Sequence, residues 1–273
     1  MKKPIKDFAR NLLPGRVYKT LVGTVITLHA ALVSPKNRLL RMAASRRGRT
    51  IGSEADELNK RNNRLFDYNR ALLPNALLAE LERDTHDLES AKRFTGLTVG
   101  YPAWNLLYYV LLCSAPAAGE EFVVVETGTN QGISTVVLAQ ALKDLGLRSV
   151  VRTVDIDPSV VEIARHNVEK AGLSAFVDFH VEDSHQYLAR LASEVDAIHF
   201  AFLDGSHAYE DLRKEFTIIY PKVVAGRGKV YFDNTTTGGV ARALKFIRIA
   251  YGGNLVEFEN CSWCPPGNVI WQP

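Results

Sequence analysis

Apolar and polar positions change their pattern at about residue 122. From there, apolar runs of strand length alternate with segments of helical period. The runs predict strands at 122–127, 150–156, 176–181, 197–203 and 229–233. The segments between and after them predict helices at 133–145, 159–171, 185–193, 208–219 and 240–251. Short loops between strand and helix favour right-handed crossovers, so we expect a parallel sheet.

The last part of the pattern is different. Two apolar runs, 255–260 and 268–272, flank a short loop rich in Cys, Pro and Gly, with no helical segment between them. Two strands joined in this way form an antiparallel hairpin. The predicted fold is therefore an α/β sheet of parallel strands with an antiparallel hairpin at one edge.

The first 95 residues follow neither pattern. Residues 51–95 are polar and rich in helix-forming residues, and apolar positions recur at helical spacing on both sides of Pro74. The sequence therefore predicts two domains: a basic helical N-terminal extension over residues 1–95 and an α/β domain over residues 96–273.

The net charge is concentrated at the start of the chain. The whole chain has a formal net charge of +3 and an ordinary globular composition, with 47% hydrophobic and 23% charged residues. Residues 1–50 contain twelve Lys and Arg against one acid, a net +11, which leaves −8 for the remainder. This basic segment suits phosphate, anionic lipid or an acidic partner, and a solvated arm is the alternative.

One apolar run, 21–33, is a candidate for membrane contact. Its 13 residues fall short of the roughly 20 that a spanning helix needs. We interpret it as an amphipathic or buried helix that can lie at a membrane surface, with a cleavable signal peptide as the alternative.

The cysteine content indicates a cytoplasmic protein. There are three cysteines, and this low and odd number argues against a disulfide framework. Cys261 and Cys264 have CxxC spacing, but the sequence offers no second pair of zinc ligands, and the CPPG that follows predicts a turn. Ordinary thiols in a loop are the favoured interpretation.

Candidate ligand-binding residues follow the first three strands, because ligands of open α/β sheets bind at the carboxyl ends of the strands. Gly128 and Gly132 in ETGTNQGIST permit a tight turn, although the loop matches neither GxGxxG nor a phosphate loop. Asp155 ends the second strand, where a carboxylate commonly binds ribose hydroxyls. Asp183 or Ser184, after the third strand, suits an adenine edge or a helix cap.

The motifs ETGTNQG, VDID, VEDS and LDGSHAYED, in this order, resemble those of class I S-adenosylmethionine-dependent methyltransferases. The resemblance covers about residues 96–273 and is strongest to the divalent-metal-dependent O-methyltransferases of small molecules and sugars. It implies a Rossmann-like class I methyltransferase sheet. It also implies S-adenosylmethionine as cofactor, with the methionine part near Glu126, Gly128 and Ser134, the ribose at Asp155, and the adenine near Asp183, Ser184 and His185. Thr129, Asn130 and Gly132 complete the predicted cofactor loop.

The same resemblance implies a metal site. In the metal-dependent subset an acid after the fourth strand and an Asp-Asn pair after the fifth hold the ion, which corresponds to Asp204, Asp233 and Asn234. Oxygen ligands suit Mg²⁺ or Mn²⁺. Asp-Gly and Asp-Asn are also common in turns, which is the alternative interpretation. His207 stands where the catechol type has its basic lysine, and a neutral imidazole accepts protons near pH 7. Asp211, further along, is expected to be exposed near the start of a helix.

These features predict a cytoplasmic O-methyltransferase with Mg²⁺ and a histidine base. The predicted acceptor is a small-molecule hydroxyl, with a sugar or glycolipid favoured over a catechol. Residues 1–95 are predicted to form a lid, a dimer contact or a membrane-surface segment, and a homo-oligomer is expected. Two alternatives stay open: a metal-independent N-methyltransferase, for which no NPPY-like tetrapeptide is present, and a catalytically silent cofactor-binding module. Nucleic acid is not the expected partner.

Overall fold

The computed structural model describes residues 75, 77, 103–116, 121–258 and 267–273. In chain order, the helices and strands are α1 (Ala103–Leu112), β1 (Val124–Thr127), α2 (Ile133–Asp144), β2 (Val151–Asp155), α3 (Pro158–Lys170), β3 (Val177–Val181), α4 (Ser184–Glu194), β4 (Phe200–Leu203), α5 (Tyr209–Ile219), β5 (Lys229–Phe232), α6 (Gly238–Tyr251), β6 (Asn254–Phe258) and β7 (Asn268–Gln272). Short 3₁₀ helices, Ser174–Phe176 and Tyr220–Lys222, precede β3 and follow α5.

The seven strands form one sheet in the order β3-β2-β1-β4-β5-β7-β6. Strands β1 to β5 are parallel, and β7 pairs antiparallel with both β5 and β6. The predicted α/β fold with a closing hairpin is therefore confirmed. Within the hairpin, β7 lies next to β5, and β6 forms the edge of the sheet. The strand order reverses between β1 and β4, which is where open α/β sheets bind ligands.

Two apolar layers cover the sheet because successive strand residues point to opposite faces. Val124 packs in the layer that contains α1 and α2, whereas Val125 packs in the layer that contains α4, α5 and α6. The same alternation continues to the end of β1. It directs Glu126 towards α2 and Thr127 towards α5, so polar groups reach both layers at the ligand-binding edge.

Two strands begin later than their apolar runs. The predicted strands 122–127 and 197–203 form ladders only from Val124 and from Phe200. The residues before β4 are buried but bonded elsewhere: Ile198 donates its amide to the Lys222 carbonyl at 2.6 Å, and the His199 imidazole accepts from the Val123 amide at 3.3 Å. These runs are apolar because their residues are buried, although the first residues of each run lie outside the strand ladder.

Most of the predicted N-terminal extension lies outside the described residues, as do Cys261 and Cys264. The exceptions are Asn75 and Leu77. Leu77 is buried in the apolar layer of α1 and α2, and Asn75 donates to the Gln140 side chain at 3.1 Å. Within the described ranges, no helix is long and apolar enough to cross a membrane.

Candidate active site

Glycines set the shape of the loop after β1. Gly128 has φ +84°, and a Cβ there would stand 2.5 Å from the carbonyl oxygen of Asp204. Gly132 has φ +79°, and a Cβ there would stand 2.8 Å from the Cβ of Ala164 on α3. Only glycine fits both the left-handed conformation and these approaches. The loop therefore packs directly against the end of β4 and against α3.

Glu126 lies beneath this loop and is fully buried. It accepts hydrogen bonds from the hydroxyls of Thr135 at 2.5 Å and Thr153 at 2.7 Å, and Thr153 in turn contacts the Thr129 hydroxyl at 2.6 Å. Burial raises the pKa of Glu126 to about 7, although these hydrogen bonds oppose the shift. Ser134, also buried, lies in the first turn of α2. Glu126 and Thr129 thus stabilise the loop from inside.

Asp155 connects the loop to the end of β2. Its Oδ2 accepts from the Asn130 amide at 2.9 Å, and its Oδ1 accepts from the Asp157 amide at 3.1 Å. A carboxylate oxygen has two acceptor positions, so each oxygen retains one for a ligand hydroxyl. The next side chain, Ile156, is 71% exposed. An apolar side chain so open to solvent, beside a half-buried acid, suits contact with a flat ligand ring.

The residues after β3 lie at the start of α4. Asp183 is the N-cap, because its Oδ1 accepts from the Gln186 amide at 3.1 Å. The Nε2 of His185 lies 3.3 Å from the Asp211 carbonyl oxygen. Both Asp183 and Ser184 are partly exposed. The capping role is therefore present, and it leaves the second carboxylate oxygen of Asp183 outside the cap.

Asp204 and His207 form an acid–imidazole pair after β4. The Nε2 of His207 lies 3.1 Å from the Oδ1 of Asp204, and their side chains are 47% and 18% exposed. The hydrogen bond to Asp204 is the main cause that raises the pKa of His207. Burial raises the pKa of Asp204, and the same hydrogen bond opposes that shift.

Asp233 follows β5 directly and is buried. Its Oδ1 accepts from the Asn234 amide at 2.8 Å and from the Asn268 Nδ2 at 2.6 Å. Burial, followed by the negative charge of Asp204, raises the pKa of Asp233 to about 8. Asn234 adopts φ +53°, which turns the chain towards α6.

The two acids lie at corresponding positions on neighbouring strands. Leu203 pairs with Phe232 in the parallel register of β4 and β5, so Asp204 and Asp233 are the next residues on each strand. A Cβ on Gly239, at the start of α6, would overlap the carbonyl oxygen of His207, so α6 packs tightly against the loop after β4. Within the described residues, no cluster of three or more His, Cys, Asp and Glu side chains has the geometry of a metal site.

Comparison with known proteins bears on this arrangement. A family model described as a methyltransferase domain matches residues 125–235, from β1 to the turn after β5. Residues 125–235 are therefore similar to a methyltransferase domain. The predicted resemblance to class I S-adenosylmethionine-dependent methyltransferases is thereby confirmed.

Solved structures share the α/β fold of this chain. An O-methyltransferase from Bacillus cereus in complex with SAH is 19% identical, with a TM-score of 0.56, and the match covers 73% of this chain and 92% of that one. The O-methyltransferase TomG from Streptomyces achromogenes, involved in tomaymycin synthesis and in complex with SAM, is 20% identical, with a TM-score of 0.57 and coverage of 79% and 99%. No curated protein matches the chain.

Asp211 differs from its predicted environment, and two further residues of the site, Asn268 and Glu215, were not predicted. Asp211 was expected to be exposed, but it is half-buried and accepts from the Ser206 hydroxyl at 2.8 Å, which braces the loop after β4. Asn268 reaches Asp233 because the antiparallel register pairs Phe232 with Val269. A polar residue at the start of an apolar strand was the available sign.

Proposed function

We propose that the chain transfers a methyl group from S-adenosylmethionine to a hydroxyl of a small molecule, with a divalent cation and with His207 as base. The observation that carries this proposal is that Asp204 and Asp233 lie at corresponding positions, directly after neighbouring strands and next to the loop of Gly128. The names of the two similar structures, both O-methyltransferases, support oxygen as the accepting atom.

In this proposal the cofactor lies over the loop after β1, at the reversal of strand order. Asp155 binds the ribose hydroxyls with its remaining acceptor positions, and Asp183 and Ser184 face the adenine. Gly128, Asn130 and Gly132 let the backbone approach the methionine part closely. When bound, the cofactor supplies the methyl group, and the electron pair of the broken C–S bond stays on sulfur.

The residues after β4 and β5 fit a divalent cation. Asp204 is half-buried and Asp233 is buried, each has a raised pKa, and part of the rise for Asp233 comes from the charge of Asp204. A cation between them would offset this repulsion, and Asn234 adds an amide oxygen. An all-oxygen set suits Mg²⁺, or Mn²⁺, rather than zinc. When bound, such a cation lowers the pKa of a substrate hydroxyl.

His207 accepts the proton of the substrate hydroxyl in this proposal. Its Nε2 is engaged with Asp204, which orients the ring and leaves Nδ1 as the accepting atom. The half-exposed ring can reach a substrate that enters from solvent. Holding the hydroxyl near the methyl carbon is worth about 7–11 kcal/mol of the barrier.

The proposed acceptor is a sugar or glycolipid hydroxyl. Support comes from the histidine in place of lysine and from the net +11 of residues 1–50, which suits an anionic acceptor or a membrane surface. We further propose a cytoplasmic protein, with residues 1–95 as a lid, a dimer contact or a peripheral membrane segment, and a homo-oligomeric assembly.

Methyl transfer from S-adenosylmethionine to a panel of saccharide, glycolipid and catechol acceptors tests this function, with and without excess chelator. Chelator-sensitive methylation of a sugar hydroxyl is expected. Turnover of catechols alone would reverse the choice of acceptor. Chelator-resistant methylation of an amine would favour the N-methyltransferase, and cofactor binding without turnover on any acceptor would favour a silent binding module.

A further inference from the structure

Glu215 is a buried carboxyl group that the proposed mechanism does not use. It lies on α5, fully excluded from solvent. The Thr127 hydroxyl donates to its Oε2 at 3.3 Å, and within the described residues its Oε1 has no hydrogen-bond partner. A buried acid with so few partners destabilises a fold relative to an apolar side chain of similar volume. Packing alone therefore does not explain its presence.

Its position is at the meeting point of three loops. Thr127 is the last residue of β1 and precedes Gly128 in the loop proposed to hold the cofactor. The Ser184 hydroxyl, at the start of α4, lies beside the Glu215 carboxyl and lowers its pKa. A Cβ on Gly205, next to Asp204, would stand 3.3 Å from the Thr127 hydroxyl. Glu215 thus contacts, directly or through Thr127, all three segments.

The electrostatic surroundings agree with this location. Burial is the main cause that raises the pKa of Glu215 to about 7, and the negative charges of Asp211 and Asp204 contribute in the same direction. The group is therefore close enough to the loop after β4 for its charge state to depend on that loop.

We propose that Glu215 is a positioning residue that holds Thr127 and Ser184, and thereby sets the spacing of the three loops around the cofactor. The inference rests on the proposed function for the roles of Ser184 and Asp204. In this proposal one side chain of α5 links the loops after β1, β3 and β4.

Calorimetric titration with S-adenosylhomocysteine tests the proposal on the full chain, together with the melting temperature. We expect Glu215→Leu to melt at or above the wild-type temperature but to bind roughly tenfold more weakly. Glu215→Gln retains an oxygen that accepts from Thr127, so its affinity should recover to within about threefold of wild type. Glu210→Gln is the control, since Glu210 is exposed on the same helix.

A double-mutant cycle with Thr127→Val separates positioning from a general effect on stability. If Glu215 acts through Thr127, the double variant should lose no more affinity than Glu215→Leu alone. Strictly additive losses would overturn the proposal, as would a folded Glu215→Leu that binds within twofold of wild type. If Glu215→Leu does not fold, the cycle with Glu215→Met, which also removes the carboxyl group, decides by the same criterion. Binding of S-adenosylhomocysteine requires neither acceptor nor cation, so failure of the proposed hydroxyl methylation leaves this readout intact.

Discussion

The side-chain amide of Asn268 donates a 2.6 Å hydrogen bond to the carboxylate of Asp233, across from β7 to the end of β5. The bond occupies Oδ1, which also accepts the Asn234 amide, so the carboxylate is held in one orientation with Oδ2 directed elsewhere. A strand of the closing hairpin therefore orients an acid of the candidate active site.

Removing this bond should weaken the proposed cation site. We expect Asn268→Ala to lower Mn²⁺ affinity by roughly 10- to 100-fold, because residues that orient metal ligands contribute about that much. Titration of Mn²⁺ followed by electron paramagnetic resonance measures the change. Asn254→Ala, at an exposed position of β6, is the matched control. Unchanged Mn²⁺ affinity in Asn268→Ala would show that Asp233 needs no orientation from β7.

Loss of either acid should separate turnover from cofactor binding. Asp204→Ala and Asp233→Ala are expected to abolish cation-dependent methyl transfer while leaving S-adenosylhomocysteine affinity within about threefold, because each acid lies outside the loop proposed to hold the cofactor. Activity assays and calorimetry measure the two quantities. Asp196→Ala removes an exposed acid and should change neither. A cofactor affinity that fell in parallel with turnover would place the acids in the cofactor site instead.

His207 should affect rate more than binding. We expect His207→Asn to lower kcat by about 10²–10⁴, the usual contribution of a general base. The hydrogen bond that His207 donates to Asp204 raises the pKa of His207 above 6.5, so wild-type activity should rise with pH above that value as the imidazole loses its proton. The pH–rate profile of His207→Asn should lack this rise. If the rise persisted in the variant, it would come from the titration of another group.

Gly128 and Gly146 form a matched pair of substitutions. Both have positive φ, but an added Cβ meets nothing within 4 Å at Gly146, whereas at Gly128 it meets the Asp204 backbone. Gly146→Ala should therefore lose only about 1–2 kcal/mol of unfolding free energy from the left-handed conformation. Gly128→Ala should lose more than about 3 kcal/mol and its cofactor affinity. Equal losses of unfolding free energy in denaturant titrations would mean that the loop after β1 shifts freely to accommodate the added Cβ.

Stability should decrease as pH rises from about 4.5 to 7. Glu126 and Glu215 have pKa values raised from 4.5 to about 7, so in this window the folded protein binds more protons than the unfolded chain. Their contribution is complete below pH 4.5 and is lost as pH rises through 7. Denaturant titrations at several pH values should show a smaller decrease in unfolding free energy for Glu126→Gln than for the wild type. The difference should be about 1.4 kcal/mol for each unit by which folding raises the pKa of Glu126.

The control for this pH dependence is Glu121→Gln, which removes an exposed carboxylate. It should retain the wild-type pH dependence. Identical slopes in wild type and Glu126→Gln would show that the buried carboxyl is ionised at the same pH in both states.

The periodic parts of the fold were predictable from local pattern. The strand Asn268–Gln272 has the predicted bounds, α2 differs from its predicted bounds by one residue at one end, and α3 differs by one residue at each end. The start of β4 was misplaced because Ile198 is buried and forms an isolated bridge with Val223, outside the β4 ladder. Local pattern reports which side chains are buried, and it does not report which backbone groups pair.

Long-range contacts limited the prediction of the site. The residues at the ends of β4 and β5 were identified in sequence because they follow apolar runs directly. Asn268 and Glu215 were missed because their partners, Asp233 and Thr127, are 35 and 88 residues away. Only sheet register and helix packing bring those pairs together.

The strand order has a consequence for biosynthesis. The five parallel strands leave the ribosome first, yet β7, the last strand to emerge, occupies the place next to β5. Until then Asp233 lacks its amide partner and the flank of β5 has no neighbour. A nascent domain can therefore assemble the loops proposed to bind the cofactor early, while the acids at the ends of β4 and β5 acquire their final arrangement only after translation has passed residue 272.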